Sequence, residues 1–258
     1  MFRNTYPVFE RKRLLKMEML KNLRDYPREI FGIFCQGYSN GIIAGVNLSV
    51  ADDCLIISPG ILYWEGIPYS MKEECRISYE ATEKTSYLKV KFLEELRGAE
   101  KQEYLTEVYI DGRPTNGQLE LELCRFKLQK GARLRAEYTD FFDYSTEFDT
   151  INRIHALFAA SGKSTIWPEI LKSFARTLMD NPIKSPWDYS FCMNCLHLDR
   201  AMHFEEINRY LNLRMQENRA EYQNQEVYRA LGSILQEATG TRMMPPKGGD
   251  TQKKMLLL

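Results

Sequence analysis

The chain has no surplus of charge of either sign: 35 lysines and arginines stand against 35 aspartates and glutamates. A protein built to coat nucleic acid carries a basic excess, so that class is excluded, although a local patch is not. Long apolar runs are missing too. None approaches the ~18 residues that a membrane span needs, so no span is expected. The N-terminus (MFRNTYPVFERKRLLK) lacks the apolar core and small-residue cleavage site of a secretory signal. Cysteine is sparse, with six residues at separations of 19, 21, 49, 68 and 3. That is no disulfide framework, and a chain of 258 residues does not need one. Histidine is rarer still (His155, His197 and His203), and neither a G-x-S-x-G elbow nor an H-E-x-x-H helix occurs. The expectation is a soluble protein of the reducing cytoplasm, with no catalytic residue, no cofactor and no metal.

What is present is a core's worth of apolar residues, 44% of the chain, with 15 tyrosines, 13 phenylalanines and 3 tryptophans. Composition therefore excludes disorder. The pattern changes twice along the chain. From Phe9 to Asp25, Leu14, Leu15, Leu20 and Leu23 interleave with charge and predict a short amphipathic helix. Pro27 is expected to separate it from a second short helix, Arg28 to Cys35. Residues 1–30 hold eight basic and four acidic side chains, and the run Arg11-Lys12-Arg13 with Lys16 reads as a solvated helix face.

Between Ile42 and Gln129 the period becomes two. Strands are expected at Asn47–Val50, Cys54–Ile57, Ile61–Trp64, Ile67–Tyr69, Arg76–Tyr79, Tyr87–Phe92, Glu107–Ile110 and Leu119–Leu128. In the last, Leu119, Leu121 and Leu123 share one face, and the phase is expected to shift near Arg125. Short strands at regular spacing, bounded by Gly, Pro, Asn and Asp, predict an antiparallel sandwich or barrel. From Asp149 onward a helical period takes over. Thr165 is read as capping a helix with Pro168 in its first turn, and Ser185-Pro186 opens a second. Phe204–Met215 and Arg219–Glu237 complete about four helices, which Gly240 stops. The fold class is α+β: an N-terminal helical arm (1–40), an antiparallel β-domain (41–136), an acidic-aromatic connector (137–150), a helical bundle domain (151–238) and a disordered tail (239–258).

Three strings suggest chemistry. Ser161-Gly162-Lys163-Ser164-Thr165 matches the end of a phosphate-binding G-x-x-x-x-G-K-[ST] loop, but the first glycine is Leu157. Ile151, Ile154, Leu157 and Phe158 recur at helical spacing where that loop needs a preceding strand, so a polar interhelical loop is preferred. Cys192-Met193-Asn194-Cys195 lies beside His197. At ~100° per residue, His197 sits about 140° and 200° from the two thiols, so the three cannot meet on one ion; a core-facing pair is expected. Glu137 to Asp149 holds five carboxylates among aromatics but no sharp-turn glycine for calcium, and two carboxylates do not define a glycosidase. It is read as a connector whose aromatics dock while its carboxylates stay wet.

One segment resembles a known class. Ile56-Ile57-Ser58-Pro59-Gly60-Ile61-Leu62-Tyr63-Trp64-Glu65-Gly66-Ile67-Pro68-Tyr69 is similar to phage tail-fibre and baseplate proteins. There a strand, a Pro-Gly turn, an apolar strand and a second glycine turn lead to an aromatic. The run-in Gly41–Gly45, the Tyr87–Phe92 strand and Glu122–Leu128 closing on Gly131 extend the match over about residues 40–135. It rests on turn geometry, with Gly60 taken to need a positive φ. The helical second half departs from fibre shafts and tips. The resemblance therefore implies an adaptor of a phage tail, or of a related contractile particle, rather than a receptor-binding tip. It implies other tail or baseplate proteins as partners, a single copy or a homo-oligomer, no nucleic acid, and a cytoplasmic assembly stage before incorporation. Two alternatives are a P-loop-like nucleotide binder using residues 161–165 and a carbohydrate-binding β-domain using exposed Trp64 and Tyr69.

Overall fold

The computed structural model describes residues 6–12, 14–98, 102–183 and 185–240. Arg13 of the basic run and residues 241–258 of the expected tail lie outside that set. The chain is α+β: an N-terminal helix, then antiparallel sheets, then four further helices among the described residues.

Helix α1 (Met17–Phe34) is one helix rather than two, and it runs through Pro27. Proline's fixed φ suits the helix; what it removes is one N–H. Leu23, Tyr26 and Pro27 are all exposed, so the carbonyl left without a donor can be met by water.

Three three-stranded sheets and one two-stranded sheet follow among the described residues, and every pairing of named strands is antiparallel. In the first, β1 (Gly41–Gly45), β4 (Gly60–Trp64) and β5 (Ile67–Met71) lie in the order β1-β4-β5. The β4–β5 turn is Glu65-Gly66, where the sequence puts it, with φ of 47° and 82°. Two left-handed central residues make the turn whose twist matches a hairpin's. The second sheet, β2-β3-β6, joins β2 (Leu48–Ala51), β3 (Cys54–Ile57) and β6 (Cys75–Ser78). In the third, β7 (Thr85–Phe92) lies between β10 (Thr106–Asp111) and β11 (Glu120–Lys127), while β8 (Leu96–Arg97) pairs with β9 (Gln102–Glu103).

Two expectations within the sheets need correction. Gly60 is not in the left-handed region. Its constraint is contact: a Cβ there would lie 2.5 Å from the Val46 nitrogen and 2.6 Å from the Ala44 oxygen. The phase shift in β11 comes earlier than Arg125, at a bulge between Glu122 and Cys124. Leu121 and Leu123 are buried before it, Cys124 and Phe126 after it. An extra residue there turns the opposite face inward.

Leu55, Ile57, Leu62, Trp64, Leu88 and Val90 centre the β core. Lys89, between Leu88 and Val90, is buried as well and pairs with Asp111 at 2.9 Å and Glu120 at 3.3 Å on the flanking strands.

Helices α2 (Pro168–Met179), α3 (Pro186–Leu196), α4 (Phe204–Met215) and α5 (Asn224–Thr239) build the second core around Phe141, Phe174 and Leu231. Phe191 stacks on Tyr210 with centroids 3.8 Å apart, and Phe141 on Tyr228 at 4.8 Å. Thr165 does not cap α2; the N-cap position is Trp167, and the Thr165 hydroxyl donates to the Met202 carbonyl at 3.2 Å. α5 begins after Gln223, not at Arg219, because the Glu226 carboxylate accepts the Gln223 N–H at 2.8 Å.

The helical period expected over 151–158 is absent. That stretch is irregular, with isolated bridges Arg125–Asn152 and Ile42–Phe158 on either side of a turn in which the Ala156 N–H donates to the Arg153 carbonyl at 3.0 Å. Ile151, Ala156 and Phe158 join the β core, while Ile154 joins the helical core. Lying between two cores, the segment buries both faces, so its apolar residues show no strand alternation and mimic a helix.

Candidate functional site

The sequence-predicted residues separate rather than converge. Ser161–Thr165 is the tip of a hairpin-like loop closed by the Phe158–Thr165 bridge. No strand leads into a phosphate-wrapping turn, and α2 starts three residues beyond Thr165. Lys163 pairs with Glu221 and stands over the Phe204 ring at 5.1 Å. The Ser164 hydroxyl donates to the Asn40 carbonyl at 2.6 Å. Lys163 and the Ser164 and Thr165 hydroxyls, the groups that would face a phosphate, thus have protein partners, which leaves a nucleotide no support here.

Cys192 and Cys195 are fully buried in the helical core, and His197 is exposed with its Nδ1 2.7 Å from the Met193 carbonyl. Burial pushes the Cys192 thiol up to about 12 and the Cys195 thiol higher still, opposite to what a nucleophile or metal ligand requires. Among the described residues, no three His, Cys, Asp or Glu side chains are grouped to hold a metal. Trp64 is buried and stacks on Phe92 at 4.3 Å; Tyr69 meets the same ring edge-on at 5.0 Å. The aromatic platform that a sugar would need is folded inward.

The acidic-aromatic stretch is where the two cores meet, and its chemistry is positional. The Asp140 carboxylate accepts the N–H groups of Phe142 and Asp143 at 2.8 and 3.1 Å, starting a 3-10 turn over Phe142–Ser145. This drives Phe141 and Tyr144 into the helical core. Tyr138 stacks on Tyr144 at 4.1 Å and donates to the Ile151 carbonyl at 2.6 Å.

Asp143, expected to be wet, is buried. Arg135 donates to it from Nη1 and Nη2 at 2.6 and 2.5 Å, Thr139 N at 2.9 Å and the Thr146 hydroxyl at 2.6 Å. The Arg135 hydrogen bonds, aided by Thr146 and the Thr139 N–H against the cost of burial, hold the Asp143 carboxyl well below the usual carboxylate range. Because the folded pKa is depressed, the stability it contributes is present above the ordinary value of ~4 and is lost as pH falls through the folded value. Asp143→Asn is therefore expected to lower the melting temperature at neutral pH, by several degrees for the ~2–3 kcal/mol typical of lost charge-assisted bonds. The gap to wild type should narrow progressively below pH ~4. A gap of the same size at acid pH would show that the effect is steric rather than ionic.

Sequence reasoning missed Arg153. Its guanidinium is buried beneath the Trp167 ring at 4.5 Å and near Phe158 at 5.5 Å. Nη2 donates to the Val46 carbonyl at 3.0 Å, and Nε has no partner. Burial lowers its pKa to about 10. An arginine inside Ile151–Ile154 was the available signal, but nothing in the sequence separates a buried guanidinium from an exposed one.

The exposed surface is uneven. Of 21 exposed large hydrophobic residues among those described, 12 precede residue 35, and α1 has no buried residue. Among the described residues no helix is long and apolar enough to cross a membrane.

No protein-family model matches the chain, and no curated protein matches it. The solved structures similar to it include a crystal structure and a cryo-electron microscopy structure. A crystal structure of TssK aligns at 10% identity with a TM-score of 0.41, covering 90% of this chain and 70% of that one. A TssK-TssF-TssG baseplate subcomplex of the type VI secretion system, solved by cryo-electron microscopy, aligns at 10% identity with a TM-score of 0.39, covering 93% of this chain and 100% of that one. At these values the likeness is distant.

Proposed function

We propose that the chain is a non-enzymatic adaptor of a phage-tail-like contractile particle that acts through protein contacts. The carrying observation is the apolar surface concentrated before residue 35 on a body whose two cores are locked together by the 137–167 segment. Apolar surface gathered in one place marks contact with other macromolecules. The choice of particle is supported by the turn-punctuated pattern of residues 40–135 and its likeness to tail and baseplate proteins. We read the β part as a sandwich and the last four helices as a bundle, with domain limits at 41–136 and 151–238. Other tail or baseplate proteins are the partners, and assembly begins in the cytoplasm.

The test is sedimentation of particles from producing cells, followed by immunoblotting of the full-length chain. Truncation at residue 150 is not a clean comparison, because it would strip Ile151, Ala156 and Phe158 from the β core. Full-length chain is expected in the pellet with sheath and tube. If it stays wholly soluble while those pellet, the assignment is wrong.

A further inference from the structure

Helix α1 has 18 residues and a proline inside it. A helix of this length is marginal in water, and an internal proline costs about 3 kcal/mol more. Such a helix depends on packing, yet the described residues supply little. Phe31 rests on the small cluster of Cys35, Tyr63 and Ala159, and Arg200 stands over the Phe34 ring at 4.5 Å. Both contacts belong to the last turn.

A seam with little cover from the described residues runs along the helix and ends at Phe34. Leu20, Leu23, Pro27, Ile30 and Phe34 follow one another in steps of three and four, the spacing with which two helices interlock. The four large side chains are 43%, 49%, 50% and 53% exposed. Met17 and Ile33, also exposed, widen the seam. At roughly 150 Å² for a large apolar side chain, the low end of the aromatic range, these six half-exposed residues offer on the order of 500 Å², a large part of the ~800 Å² per partner of a standard interface. The charge along the helix is balanced: Glu18, Asp25 and Glu29 against Lys21, Arg24 and Arg28. Two copies of this helix therefore bring no net repulsion, whereas a membrane surface calls for a basic face.

We infer that α1 is a self-association element whose occupant is α1 of a second copy of this chain, packed along Leu20, Leu23, Ile30 and Phe34. The inference rests on reading the N-terminal surface as a contact surface; it does not depend on the particle.

Sedimentation velocity and light scattering of the purified full-length chain, over a wide concentration series, test it. Wild type is expected at the mass of two or more chains. Leu23→Ser with Ile30→Ser is expected at the mass of one, with an unchanged melting temperature because both residues are exposed. Leu23→Cys should cross-link two chains under mild oxidation, while Glu18→Cys on the polar face should not. A wild-type chain that stays single throughout, or a double variant that stays associated, overturns the inference. Binding of α1 by a different protein in preference to a second copy also overturns it. Particle sedimentation of wild type keeps the two readings apart: a chain that self-associates but does not pellet with sheath and tube faults the particle and not the seam.

Discussion

Arg153→Ala is expected to cost about 3–5 kcal/mol, a fall of roughly 10 °C in melting temperature. The physical reason is the junction that the side chain fills. Removing it opens a cavity between Trp167, Phe158 and the Val46 carbonyl, and leaves that carbonyl without its donor. Arg153→Met is the informative companion. It keeps most of the volume and discards a charge whose desolvation costs several kcal/mol, against a cation–π and hydrogen-bond loss of similar size. The methionine variant is therefore expected within about 2 kcal/mol of wild type, as replacements of buried charge by apolar groups often are. Urea denaturation of the three proteins measures this order. An alanine variant as stable as wild type would show that the junction collapses freely; a methionine variant as poor as alanine would show that the charge itself is required.

The second large effect is expected where β1 meets β4. Gly45 and Gly60 are register partners, and their backbones approach more closely than any side chain permits. A Cβ on Gly45 would lie 2.1 Å from the Pro59 oxygen, at a φ of +66° that already disfavours other residues. A Cβ on Gly60 meets backbone at 2.5 Å. Backbone on both sides cannot give way locally, so Gly60→Val and Gly45→Ala are each expected to unfold the β part or leave it insoluble. Gly66→Asn is the control. Its φ is +82°, but nothing lies within 4 Å, and asparagine tolerates the left-handed region, so a loss of about 1 kcal/mol or less is expected. Soluble yield and near-UV circular dichroism distinguish the outcomes. A well-folded Gly60→Val protein would falsify the close approach, and with it the pairing of these two strands.

Much of the fold was legible in local sequence because its causes are local. Glu65-Gly66 specifies a hairpin turn through its own φ preferences, whatever surrounds it. Strands β3, β5 and β6 show a period of two set by one face that is more buried than the other. Pro168, Pro186 and Gly240 start or stop helices by backbone chemistry alone. Even the burial of Cys192 and Cys195 follows from cysteine's apolar character and its place beside Phe191.

Tertiary structure decided whatever depends on two distant segments meeting. Residues 151–158 misled because both of their faces are buried, one by the sheets and one by the helices, and no periodicity records two neighbours at once. Thr165 looked like a cap until Met202, far along the chain, offered its carbonyl. Asp143 and Arg153 differ from their solvated counterparts only through Arg135 and Thr146 in one case and Trp167 and Val46 in the other. Gly60 was marked as special by its sequence context, but the reason is the β1 backbone pressed against it rather than its own dihedral. The helix α1 shows the remaining case. Its apolar stripe is plain in the sequence, yet only the fold reveals that the described residues bury none of it fully.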